Sequence, residues 1–191
     1  MEKGRLEAFS DGVIAIIITI MVLELKIPHG TDLSALRPLV PVFLSYVLSF
    51  IYIAIYWNNH HHLLQAVGHI NGSSLWANLH LLFWLSLIPF VTGLMGENHF
   101  AAIPVAFYGT VLLCVAFAYF ILTRVLISHH CKDSKLATAI GRHLKGKVSV
   151  VIYAVAILLS FFHSLLACLL YVLVAVMWLI PDRRIERILS S

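Results

Sequence analysis

Charge is scarce in this chain: only 12% of its 191 residues are Asp, Glu, Lys or Arg, whereas 61% are hydrophobic and the mean hydropathy is +0.94. A soluble domain of this length could not cover its own surface with so few polar groups. Lipid accepts an apolar exterior and asks only that the backbone be satisfied internally, so a set of membrane helices is expected. Cysteine is scarce too. Cys114, Cys131 and Cys168 are scattered, none forms a CxxC pair, and an odd number cannot be fully paired, which excludes a disulfide framework and a thiolate metal site. HExxH, GxSxG and a carboxylate pair are missing, so no enzyme is expected. Nor is there a low-complexity linker or a clear internal repeat; residues 1–191 read as one domain.

The formal charge of +4 invites a nucleic-acid reading, which the placement of the basic residues removes. Arg142, Lys145 and Lys147 form one cluster and Arg183, Arg184 and Arg187 another, each beside an apolar run, where they read as anchors at an anionic leaflet. The residues from Asp182 to Leu189 have interfacial amphipathic character. Trp57, Trp76, Trp178, Tyr56 and Tyr171 lie near span ends, as headgroup-level anchors do. The first apolar run follows Glu2, Lys3, Arg5 and Glu7, has no small-residue cleavage site, and is expected to stay in the mature protein.

Apolar stretches run from Leu6 to Ile27, Pro38 to Trp57, Leu75 to Leu94, Ile103 to Ile127 and Val148 to Ile180. A crossing needs roughly 20 residues, so each of the first four is one span and the last is too long for one. Both flanks of that last run are basic, with Lys132, Lys135, Arg142, Lys145 and Lys147 before it and three arginines after it, and both therefore belong on the cytoplasmic side. An even number of crossings is required, with a turn near Phe162, His163 and Ser164. The expectation is an all-α polytopic protein with six spans at about 6–27, 38–60, 74–95, 103–127, 147–162 and 164–180, and both termini inside.

The first span carries the unusual chemistry. Asp11 sits just inside it, where an unpaired charge costs several kcal/mol. Two readings stand: a partnered acid that pins helices together, or a group in contact with a permeating ion. At about 100° per residue, Ile16, Ile20, Leu23 and Ile27 fall in a stripe about 60° wide, with Ser10 and Asp11 pointing away from it. Gly12, Ala15 and Thr19 form a small-residue strip beside it that permits close helix approach. By itself such a stripe is lipid-facing or packing material.

The string Arg5-x3-Phe9-Ser10-Asp11-Gly12, continuing through Thr19 to Leu23-Glu24, resembles the signature of the FSD-motif, lysosomal-type (transmembrane protein 175-like) potassium channels. Trp57-x2-His60-His61 at the end of the second span, the Asn78 region of the third, and the six-span length extend the resemblance, which is to the single-repeat members found in prokaryotes. It implies a homotetramer in a prokaryotic plasma membrane, with a central pore lined by the first helix of each subunit. It implies a constriction of Ile16, Ile20 and Leu23, a hydroxyl layer at Thr19, and a motif network of Arg5, Phe9, Ser10, Asp11, Trp57, His60 and Asn78. His61 and His62 stand beside His60 as alternatives for the histidine partner.

One six-helix subunit is too small to enclose a path along its own first helix, so a channel reading needs a symmetric oligomer. The chain lacks the TVGYG carbonyl filter and any arginine-repeat voltage sensor. A modest preference for K+ over Na+ from side chains is therefore expected, with an aliphatic ring that blocks by dewetting. Asp11 is expected to pair with Arg5 or a histidine of the second span. The alternative function is a secondary ion transporter that uses Asp11 as its coupling site. Among the eleven histidines, His60, His61 and His62 point about 100° apart on a helix and cannot converge on one ion. No metal site, haem or other cofactor is expected beyond permeating K+; lipid, K+ and further copies of the chain are the expected partners.

Overall fold

The computed structural model describes residues 3–28, 32–130 and 144–179, and all of the regular structure among them is helical. Cys131, Lys132, Lys135, Arg142 and the arginines at 183, 184 and 187 lie outside the described residues. The helices are α1 (Lys3–Leu23), α2 (Val40–Gln65), α3 (Gly72–Ser86), α4 (Ile88–Glu97), α5 (Ala102–His130), α6 (Leu144–Ser160) and α7 (Ser164–Leu179), with a 3-10 turn over Leu33–Leu39 leading into α2. Among the described residues, four stretches are long and apolar enough to cross a membrane: Lys3–Leu23, Leu33–Gln65, Gly72–Glu97 and Ala102–Ser128. The 17 residues of α6 and the 16 of α7 are each about 25 Å long and form a helical hairpin, turning over Phe161–His163.

Local chemistry sets the boundaries. α1 stops at Leu23, so Ile27, which helical periodicity would keep on the stripe with Ile16, lies beyond the helix and immediately before Pro28, where helical backbone is disfavoured. α2 opens with Pro41 in its first turn, where no amide hydrogen is missed, and continues past the apolar pattern through three histidines to Gln65. α3 is capped by Asn71, whose Oδ1 accepts the Ser74 amide at 2.9 Å. The third span is broken at Leu87, because Pro89 in the first turn of α4 cannot continue the ladder of α3; Pro104, in the first turn of α5, breaks nothing.

α1 packs against α2, α3 and α4, while α5, α6 and α7 stack behind α2 and α3. The rear core holds four fully buried tyrosines, Tyr52, Tyr108, Tyr153 and Tyr171. Three of the four hydroxyls are bonded as buried hydroxyls require: Tyr52 donates to the Tyr171 carbonyl at 2.6 Å, Tyr171 to the Val105 carbonyl at 3.1 Å, and Tyr108 lies 3.0 Å from Ser49 Oγ. Glycine makes two close helix contacts possible. A Cβ at Gly109 would run into the Tyr171 hydroxyl, and one at Gly96 would lie 2.7 Å from Val42 Cα, so α4 meets α2 backbone to backbone. At the other end of α1, the Lys26 ammonium bonds the Glu97 carboxylate, which raises the lysine pKa through that hydrogen bond and then through its charge.

Candidate functional site

The two sides of α1 differ in kind. Leu6, Ser10, Ile14, Ile17 and Met21 are buried against the neighbouring helices. Within that contact a chain of hydrogen bonds crosses three helices: His60 Nε2 lies 2.7 Å from Asn78 Oδ1, Asn78 Nδ2 donates to Ser10 Oγ at 2.9 Å, and Ser10 Oγ donates to the Leu6 carbonyl at 2.8 Å. Asn78 Oδ1 can only accept, so the proton of this pair sits on His60 Nε2. All three side chains are shut away from the exterior. Every link has a donor and an acceptor, as a buried polar network requires.

Asp11 stands beside this chain, with its Oδ1 accepting the Trp57 indole N–H at 3.0 Å. The expected pairing with Arg5 or a histidine is not what the structure places there. Arg5 and Asp11 are six residues apart, which turns them about 120° from each other on one helix, and the indole is the group that faces the carboxylate. The three consecutive histidines have three different fates. His60 enters the network; His61 stacks on Trp57 with ring centroids 6.0 Å apart and bonds Gln65 at 2.9 Å; His62 Nδ1 is buried with no hydrogen-bond partner among the described residues. Arg5 and Phe9 are exposed on the opposite side of α1 and do not join the chain.

That opposite side carries Phe9, Ile16, Ile20 and Leu23, with Ile16 58% and Leu23 78% exposed. Thr19 lies among them, its hydroxyl donating to the Ile16 carbonyl at 2.8 Å, which leaves its oxygen lone pairs free to meet a cation. A Cβ built on Gly12 meets nothing within 4 Å. A bare stripe therefore runs the length of the helix from Arg5 to Leu23. Among the described residues, no group of three or more His, Cys, Asp or Glu is placed to hold a metal ion.

Comparisons with known proteins give the family of the chain. The family model for the endosomal/lysosomal potassium channel TMEM175 matches residues 5–89. A potassium channel of Chryseobacterium sp. (strain P1-3) is 57% identical over 191 residues, covering 100% of both chains. The chain belongs to the TMEM175 family. A second relative, a potassium channel of Chamaesiphon minutus, is 32% identical over 84% of this chain and 85% of its own length. The crystal structure of a lysosomal potassium-selective channel TMEM175 homolog from Chamaesiphon minutus superposes with a TM-score of 0.76 at 30% identity, covering 93% of this chain and 96% of that one. Human TMEM175, named an endosomal/lysosomal proton channel, is 34% identical over 94 residues, only 19% of its length. The TMEM175 family match takes in Arg5, Ser10, Asp11, Trp57, His60 and Asn78, and its limits leave α5, α6 and α7 outside.

The rear hydroxyl cluster was invisible to motif reading. Ser49, Thr92 and Tyr108 come from three helices, with Ser49 2.6 Å from Thr92, and no local spacing links them. The closest sequence signals are Gly96 and Gly109, single small residues where helices must touch.

Proposed function

We propose that this protein is a potassium-permeable channel of a prokaryotic plasma membrane, built as a homotetramer with α1 of each subunit facing a central pore and both termini in the cytoplasm. The observation that carries the reading is the division of α1: Ser10 and Asp11 are engaged with α2 and α3 on the packed side, while Ile16, Ile20 and Leu23 stand bare on the other with Thr19 among them. Four such stripes around an axis make aliphatic rings narrow enough to exclude water when closed. Thr19 then supplies a ring of hydroxyl oxygens between them, replacing part of an ion's hydration shell and favouring K+, which holds its water less tightly than Na+. The potassium-channel names of the full-length bacterial relatives support the choice of ion. The bond from Trp57 to Asp11 argues for an acid that orients α1 and against a mobile coupling site.

Single-channel recording in a planar bilayer tests this. Unitary currents whose reversal potential follows an imposed K+ gradient are expected, whereas a reversal that follows only a pH gradient would make the pathway one for protons. Slow saturable flux without unitary steps would point to a carrier. The native mass of the purified protein should correspond to four chains; a monomer that retains flux would defeat the channel reading.

A further inference from the structure

The motif network uses the front of the molecule and leaves a crevice at the rear unexplained. A cavity of about 420 Å³ opens between α2, α5, α6 and α7. Tyr52 and Tyr153 form its floor near the middle of the bundle, and Ala116 and Phe120 of α5 form one wall. Lys147 and Trp178 stand at its mouth, at the end of the helices where α6 begins. From Lys147 to Tyr153 the crevice follows six residues of helix, a depth of about 9 Å.

The chemistry is graded along that depth. The floor and walls are aromatic and aliphatic, and the polar groups at the mouth are bonded within the protein: Trp178 Nε1 donates to Ser149 Oγ at 2.9 Å, Ser149 to the Lys145 carbonyl at 2.8 Å, and Thr123 to the Tyr119 carbonyl at 2.8 Å. Lys147 is exposed and forms no ion pair among the described residues. Arg124 adds a second cation, its guanidinium held 5.2 Å from the centre of the Phe120 ring that lines the wall. An apolar slot with Lys147 at its lip, and with Arg124 held against its wall residue Phe120, complements a molecule with a hydrocarbon tail and an anionic head.

We infer that this crevice binds one acyl chain of an anionic phospholipid, with the phosphate of the headgroup between Lys147 and Arg124. The assignment rests on the membrane orientation proposed above, which puts this end of the bundle at the inner leaflet. Lysine beside an anionic surface is worth about 1 kcal/mol, and the slot adds the burial of the methylenes that enter it. Such a lipid would wedge α5 against α6 and steady the rear of each subunit.

Native mass spectrometry of the purified protein in dodecyl maltoside micelles tests this, with palmitoyl-oleoyl phosphatidylglycerol or palmitoyl-oleoyl phosphatidylcholine added. Phosphatidylglycerol should be retained and phosphatidylcholine should not. Lys147→Glu should weaken retention about tenfold, Lys147→Arg should preserve it, and Ala116→Phe should abolish it by filling the slot. Should Ala116→Phe fail to fold, Val150→Trp fills the same space from α6. Free glycerol 3-phosphate at millimolar concentration should not displace the lipid, since the tail carries part of the binding. Equal retention by wild type, Lys147→Glu and the filled variants would overturn the assignment, as would retention of phosphatidylcholine at the same level. Loss of the oligomer in both variants with lipid retention unchanged would instead give the crevice to a second copy of the chain. Because retained lipid is read and not current, a protein that fails to conduct still tests this inference separately from the channel reading.

Discussion

Toward α2 and α3, α1 presents Ser10 inside a complete hydrogen-bond chain and buries Ile14, Ile17 and Met21; away from them it presents Phe9, Ile16, Ile20 and Leu23 to the exterior. Both sides are rich in isoleucine, so hydrophobicity does not distinguish them. In lipid an exposed aliphatic side chain carries no penalty, and the force that sorts residues in soluble helices is missing. What sorts them here is polarity that needs a partner. The side holding Ser10 must meet Asn78, and that single requirement fixes the rotation of the helix and thereby which isoleucines are left bare. The packed side specifies structure, and the bare side is the one proposed to serve conduction.

Substitutions on the two sides should therefore fail in different ways. The largest effect is expected from Asn78→Leu, which leaves the Ser10 and His60 groups buried with a partner missing and should lower stability by about 2–5 kcal/mol. A thermal midpoint in detergent equal to wild type would show that the chain does not orient α1. Next in size, Ile16→Asn should leave folding and assembly intact and raise conductance or leak by admitting water to the constriction. Loss of the oligomer with no added current would instead make Ile16 a packing residue, because a polar group forced into an apolar contact costs a few kcal/mol. Thr19→Val should keep conduction while reducing the K+ over Na+ permeability ratio roughly two- to fivefold, about 0.5–1 kcal/mol, read from the bi-ionic reversal potential. An unchanged ratio removes the hydroxyl from the pathway. Smallest is Gly12→Ala, whose new methyl meets open space and should stabilise the helix by about 0.5 kcal/mol in a thermal melt. If it weakens the oligomer instead, a neighbouring subunit lies against Gly12, and the bare side is partly an interface.

How much of this was legible in the sequence depended on whether the information was local. The long apolar runs and a turn near Phe162 could be read because run length and flanking charge report them directly, whereas the motif at Ser10 and Asp11 was legible through its resemblance to a family signature. The break at Leu87 was less visible, since a proline in a membrane span is compatible with either a kink or a new helix start. The extension of α2 to Gln65 was hidden because hydropathy falls at the histidines while the helix continues. Which histidine joins the motif depended on rotation about α2, and three adjacent imidazoles carry no sign of it. Trp57 was expected in the motif network, but Asp11 was assigned a charge partner instead, although an indole N–H satisfies a carboxylate without burying a second charge. The tyrosine core joins helices more than 100 residues apart, as with Tyr52 and Tyr171, and no spacing in the chain records it.

The distribution of anchors along α1 has a mechanical side. Among the described residues its inter-helix hydrogen bonds lie in the first three turns, where Lys3 reaches the Gln65 carbonyl, Ser10 meets Asn78 and Asp11 meets Trp57. Beyond Asp11 its ties to other helices among the described residues are apolar contacts, until the exposed pair of Lys26 and Glu97 past its end, a kind of tie that yields easily. The helix is thus a lever with its fulcrum near Ser10. Leu23 lies 13 residues further on, about 20 Å along the axis, so a tilt of about 5° moves it by about 1.7 Å while Ser10 stays in place. In a ring of four such levers, that tilt would change the opening between opposite leucines by about 3.4 Å, roughly the width of one water molecule, without breaking a single buried hydrogen bond.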